Sequence, residues 1–427
     1  MLVQPSCSKP RPNVDSVRML KLLPVRSYPL ALTLALVEPH RASVSRCQVR
    51  HFNRLVLYDE FKSNERFKKM VARKWKMLEA NPSLARKVRV VDITIGEEHN
   101  TTLFGDPTFL KMLALLRMSP VPPHTFRLEQ PSASLQPENL LKALVQSSLH
   151  QTLKEMSLKT LVYDEDYTTI PLSIFPLCSN LKGLSLRDFK VMKTLETQFV
   201  PEGVDLKPPR IESLDYRHSA QIVEHLLRLP AVIEPLVDLT NLRFLKTCAH
   251  ERSDMLCVQP ILDATSETLE ELDLTTLSTS DIPHERLQLA LATLVNLKPM
   301  SKLRSLALYG ILNWRRDPLV LRDFAAVLRS LPILNSITQL LLKVSIYSKH
   351  PFQECLMEDW EGICEEVVRV AAGKPLKFHL DLTVEIKRLC EPTPGDAVLY
   401  GMIEDRVRAA LSDYPHIRFH PLNSISR

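Results

Sequence analysis

One short phrase recurs seven times between residues 153 and 342. It reads apolar, two variable residues, apolar, one variable residue, then a third apolar or nearly apolar residue. The copies are Leu153-Met156-Leu158, Leu181-Leu184-Leu186, Ile211-Leu214-Tyr216, Leu242-Leu245-Thr247, Leu269-Leu272-Leu274, Leu303-Leu306-Leu308 and Ile337-Leu340-Leu342. Their first residues lie 28, 30, 31, 27, 34 and 34 positions apart. That period fits one strand and one helix per unit. A unit this small cannot bury its own apolar face, so it must stack on its neighbours. The expected fold is therefore an α/β solenoid with irregular coils, parallel strands inside and helices outside. Solenoids present long surfaces to other macromolecules and seldom enclose a reaction.

Helical periodicity falls between the copies. Apolar residues at i, i+3/4 and i+7 mark helices over about 138–150, 219–229, 284–297 and 319–331. Ahead of the clearest copies, residues 65–80 form a basic amphipathic helix that Asn81-Pro82 stops. Val88-Val91-Ile93 repeats the spacing on a strand over 88–95, and a helix follows at 107–117. Phe126 and Leu128 suggest a further strand, which places the start of the solenoid near residue 85. Towards the end, a helix over 358–372, the alternating strand Leu376-Phe378-Leu380-Leu382, a helix opening at Pro394-Gly395 and a short strand at Ile417-Phe419 close the last coil as a cap.

The chemistry-bearing patterns are missing. The 427 residues include only 9 glycines, too few to suggest phosphate-cradling loops, and no GxGxxG, GxxxxGK[ST], GxSxG or HExxH pattern occurs. The 8 cysteines are scattered without a CxxC pair, as expected of reduced core thiols rather than a metal or disulfide framework. His284-Glu285 reads as a helix start, since the next expected histidine position holds Gln288. The net charge of +6 does not point to nucleic acid, and the basic residues of 66–76 read as a solvated helix face. No apolar run reaches the length of a membrane helix. The chain is thus expected to be a non-enzymatic, cofactor-free protein of the cytoplasm or nucleus, with neither membranes nor nucleic acid as partners.

The candidate site is the strand surface itself. Residues flanking the strand leucines point away from the core, because strand side chains alternate. Arg187, Asp215, Arg217, Lys246, Glu271, Asp273, Tyr309 and Lys343 occupy such positions, beside Ser185, Ala307 and Leu341. They mix both charges with one aromatic ring. They suit either a protein patch or an ordinary wet sheet face.

The copies Leu181-Lys182-Gly183-Leu184-Ser185-Leu186 and Leu269-Glu270-Glu271-Leu272-Asp273-Leu274, with the bridge from Leu78 to Arg89, resemble the divergent fungal F-box proteins with leucine-rich-repeat-like substrate domains. The resemblance covers about residues 50–420. It divides the chain into a disordered basic tail (1–19), a degenerate F-box-like region (20–58) and the solenoid with its cap (59–427). It implies that Leu23-Pro24 and Phe52 echo the adaptor-binding module, which would dock on a Skp-type adaptor and through it on a cullin. The span between them departs from the family. Pro29 and Pro39 interrupt it, and Cys47 is followed by Gln48-Val49-Arg50 without the expected Trp. The repeats also lack the usual Asn or Cys after the strand, where Phe189, Leu277 and Ile311 stand. The function implied is recognition of a target protein for a cullin-type ubiquitin ligase. The alternative is an interaction scaffold with the same repeats and no ligase link.

Overall fold

Twelve strands carry the architecture of the computed structural model. They are β1 (Arg54–Tyr58), β2 (Val90–Thr94), β3 (Thr125–Gln130), β4 (Glu155–Thr160), β5 (Gly183–Arg187) and β6 (Ser213–Arg217), then β7 (Phe244–Ala249), β8 (Glu271–Thr276), β9 (Ser305–Leu312), β10 (Gln339–Ile346), β11 (Leu376–Val384) and β12 (Ile417–Asn423). The structure describes residues 53–58, 64–95, 103–130, 137–160, 172–188, 207–227, 235–249, 255–276, 291–312, 320–346, 358–384 and 394–423. All of them belong to the unit Arg50–Arg427. The strands form one sheet in strict sequence order, and each neighbouring pair is parallel.

The register places the recurring leucines on a single ladder. Leu55, Val91, Phe126, Met156, Leu184 and Leu214 stand side by side, and the row continues through Leu245, Leu272, Leu306, Leu340, Phe378 and Phe419. A second row two residues on runs from Leu57 through Ile93, Leu158, Leu186, Tyr216 and Thr247 to Leu342 and Leu380. The first residue of each phrase, from Leu153 to Ile337, is also buried, and all join one hydrophobic cluster with the helices. Coil length varies without breaking the rows: 27 residues separate Leu245 from Leu272, and 41 separate Phe378 from Phe419.

No asparagine ladder follows the strands, yet the coils are tied together. At the start of each strand one backbone carbonyl accepts two successive N–H groups from the next coil. The pattern holds for nine coils, from Asn53, which accepts from Arg89 and Val90, to Arg304, which accepts from Thr338 and Gln339. Side chains add ties at the same rim. Asn180 donates to the Gln151 carbonyl at 2.8 Å, Thr152 to Pro123 at 2.8 Å, and buried Asn335 to Val370 at 3.1 Å. The Asn335 bond satisfies a carbonyl that coil stacking removes from water.

The helices are α1 (Asn64–Ala80), α2 (Pro82–Ala85), α3 (Pro107–Arg117), α4 (Pro137–Gln146), α5 (Ile174–Leu177), α6 (Ala220–Leu227), α7 (Val258–Ala264), α8 (Leu291–Leu294), α9 (Val320–Arg329), α10 (Trp360–Ala371) and α11 (Pro394–Leu411). The expected helices are present, most within a few residues of their bounds. Of the helix expected over 284–297, residues 291–294 are helical, 295–297 are not, and 284–290 lie outside the described residues. Carboxylates of one coil accept backbone N–H groups of the previous one. Asp323 of α9 accepts from the N–H groups of Leu291 and Ala292 at 2.7 and 2.9 Å. Glu358, just before α10, accepts from Leu321 at 3.2 Å.

Two expectations change. Among the described residues the sheet begins at Arg54, not near residue 85, so residues 54–58 are its first described strand and lie inside the segment assigned to the F-box-like region. The helix α1 between Leu55 and Val91 lengthens that coil to 36 residues, outside the 27-to-34 spacing of the seven copies. The helices α5 and α7 are additions. Both are short, and each contains a proline, Pro176 or Pro260.

Candidate functional site: the open face of the sheet

Alternation leaves one face of the sheet outside the core. All eight candidate side chains from the sequence fall on it. Arg187 lies on β5, Asp215 and Arg217 on β6, Lys246 on β7, Glu271 and Asp273 on β8, Tyr309 on β9 and Lys343 on β10. All are half-buried or exposed. From β5 to β10 the row crosses about 24 Å at the usual ~4.8 Å per strand. They are therefore one surface, not one pocket.

Register decides which of them meet. Arg187 Nη2 reaches Asp215 Oδ2 across the strand gap at 2.8 Å. Lys246 stands opposite Asp273 and contacts it at 3.1 Å. Lys343 stands opposite Asp381 at 3.6 Å and lies 5.4 Å from the centre of the Tyr309 ring. The Tyr309 hydroxyl is 2.8 Å from the Ser345 hydroxyl. Glu271 projects into solvent, next to Glu270, whose carboxylate Arg243 binds at 2.6 Å at the strand start. Exposed pairs of this kind contribute roughly 0–1 kcal/mol each. Their main effect is to hold long side chains in ordered, alternating positions.

Arg217 differs from its neighbours. It stands opposite Arg187 in register, and its Nε is buried with no hydrogen-bond acceptor. Just beyond it, Asp188 and His218 occupy equivalent places on adjacent strands, with φ of 62° and 47°. Their side chains meet at 2.9 Å between Oδ1 and Nδ1. Left-handed backbone at two non-glycine residues costs on the order of 1 kcal/mol or more each.

Sequence reasoning stopped short of both ends of this face. At the start, Arg54 pairs with Asp92, and Lys159 with Glu129 at 2.7 Å. Burial, then the charge of Arg127, lowers the Arg54 guanidinium from its ordinary value. At the far end β11 and β12 present Lys377, His379, Arg418 and His420. The alternation of Leu376, Phe378 and Leu380 already placed Lys377 and His379 outward. The signal was present but belonged to a strand outside the seven regular copies.

The other candidates settle differently. Leu23, Pro24 and Phe52 lie outside the described residues, as do the tail 1–19 and His284-Glu285. Arg66, Lys68, Lys69, Arg73 and Lys76 of α1 are exposed, while Phe67, Val71 and Leu78 are buried and burial lowers the Lys74 ammonium. That is the arrangement of a solvated amphipathic helix. Cys178, Cys248, Cys257 and Cys364 are buried, and burial pushes the Cys178 and Cys364 thiols up to about 12. Among the described residues, no group of three His, Cys, Asp or Glu side chains could hold a metal ion, and no helix is long and apolar enough to cross a membrane.

With the fold and this face in view, the chain defines itself as an α/β protein built on a twelve-stranded parallel sheet. Comparison with known protein families gives no match, and comparison with curated proteins gives none either.

Proposed function

We propose that this chain is a leucine-rich-repeat-like protein-interaction module that binds a target protein on the open face of its sheet. One observation carries the reading: of the eight outward side chains of β5 to β10, six (Arg187, Asp215, Lys246, Asp273, Tyr309 and Lys343) are held by cross-strand contacts, so that both charges and one aromatic ring are ordered on a single continuous surface. Mixed charge and aromatic rings in fixed positions suit recognition of a protein. Following the family resemblance, the module is a substrate-recognition subunit of a cullin-type ubiquitin ligase, with Leu23-Pro24 and Phe52 contributing to a Skp-type adaptor contact. Catalysis would lie in the partners.

The scaffold reading has its own support. Residues 54–58 belong to the sheet, which shortens the span open to a three-helix adaptor module to residues 20–53. Affinity capture with the full chain and with a variant lacking residues 20–50 separates the two. Recovery of a Skp-type adaptor with the full chain, and its loss from the deletion, supports the ligase role. Target capture by both without any adaptor overturns that role and leaves the scaffold. The deletion stops short of Arg54 so that β1 remains intact.

A further inference from the structure

We propose that the C-terminal end of the open face, where Lys377 and His379 of β11 stand opposite Arg418 and His420 of β12, is a docking site for an acidic polypeptide segment. This rests on reading the face as a protein-binding surface, and it adds the chemistry of the partner.

Register sets two basic pairs directly across from one another, Lys377 with Arg418 and His379 with His420. Like charges in opposed positions destabilise a sheet. Elsewhere on this face a lysine or arginine usually meets a carboxylate of an adjacent strand: Arg54 with Asp92, Lys159 with Glu129, Arg187 with Asp215, Lys246 with Asp273 and Lys343 with Asp381. Among the described residues no carboxylate lies within ion-pair distance of Lys377 or Arg418. The nearest acid along β11, Asp381, is engaged by Lys343. From the β10 side, Gln339 and Leu341 stand opposite Lys377 and His379 and bring no charge. On the far side β12 is the sheet edge among the described strands.

The two imidazoles stack at 4.9 Å with an 18° interplanar angle. Burial first, then His420 and Lys377, hold His379 below the ordinary imidazole value. An anion between these side chains would relieve that repulsion. Guarding the sheet edge against unwanted pairing explains basic residues and Pro421 on β12. It does not explain Lys377 and His379, which lie one strand further in. An extended acidic segment fits the spacing, because alternate side chains of an extended chain repeat at the same two-residue interval as 377 to 379 and 418 to 420. Nucleic acid fits less well. Its backbone is tracked over about 4–16 nucleotides by a continuous basic groove, whereas the lysines of β7 and β10 next along the face are already paired with carboxylates.

The test uses the full chain and two fluorescein-labelled decapeptides, one alternating Glu with Ser and one alternating Gln with Ser. Fluorescence anisotropy is read at about pH 7.5 and about pH 5.5, either side of the ordinary imidazole range. The Glu peptide is expected to bind saturably, the Gln peptide not, and binding should tighten several-fold at the lower pH. Lys377→Gln with Arg418→Gln should weaken it by about tenfold, as expected for loss of two charge contacts. His379→Gln with His420→Gln should keep binding at the higher pH and flatten the pH dependence. Circular dichroism confirms that each variant is folded. Equal binding of the two peptides, native affinity in the Lys377/Arg418 variant, or tighter binding of a 20-nucleotide oligo-dT would overturn the proposal. A target still captured through β5 to β10 by the Lys377/Arg418 variant would leave the broader reading standing.

Discussion

Glu358 should make this fold less stable as the pH rises. The residue is 5% exposed, and its Oε2 accepts from the Leu321 N–H at 3.2 Å. Its Oε1 is buried with no hydrogen-bond partner. Burial pushes the carboxyl from an ordinary 4.5 up to about 7, against the opposing pull of the Leu321 N–H and Arg322. The sign follows from linkage. A carboxyl whose folded value is raised binds its proton more tightly in the native state. Its contribution is fully present below the unfolded value, declines from about pH 4.5 and is lost once the pH passes about 7. At 1.36 kcal/mol per unit, the span corresponds to about 3 kcal/mol at most.

Glu358→Gln removes the titration and keeps an acceptor for Leu321. The difference in stability between the variant and the native chain is therefore expected to move in the variant's favour by about 2–3 kcal/mol between pH 5 and pH 8. Urea unfolding of both proteins across that range reads it directly. Parallel pH profiles would refute the reasoning, and so would a variant that loses ground as the pH rises.

Two further substitutions probe the ladder. Thr247 is wholly buried in the second ladder row and its Oγ1 has no hydrogen-bond partner, so Thr247→Val should stabilise by about 1 kcal/mol in thermal or urea unfolding. Gly310 lies where an added Cβ would come within 2.8 Å of Val320 Cγ1 and 3.0 Å of Phe324 Cζ, so Gly310→Ala should destabilise by roughly 1–3 kcal/mol, read in the same unfolding assay.

Much of this was legible in the chain. The rows from Met156 to Leu342 follow from a phrase whose strand period of two is fixed by backbone geometry, whatever the coil length. The outward positions followed from the same alternation. Their pairing did not. Whether Arg187 meets Asp215 or Lys246 meets Asp273 depends on register between coils, and coil lengths differ. The start at Arg54 was hidden because α1 lengthens its coil beyond the recurring interval. The helices α5 and α7, at 4 and 7 residues, are too short to establish a helical period. The basic group of β11 and β12 was readable residue by residue. The last coils are the longest, so these strands fall outside the recurring spacing of the seven copies.

If the open face, and not the helix side, is the working surface, a partner must touch the strands. A photo-reactive amino acid placed at Tyr309, and separately at exposed Lys111 of α3, tests it most directly. In cells that supply the native partner, position 309 is expected to yield one discrete cross-linked protein and position 111 none of that mass. The same adduct from position 111, with none from position 309, would contradict it.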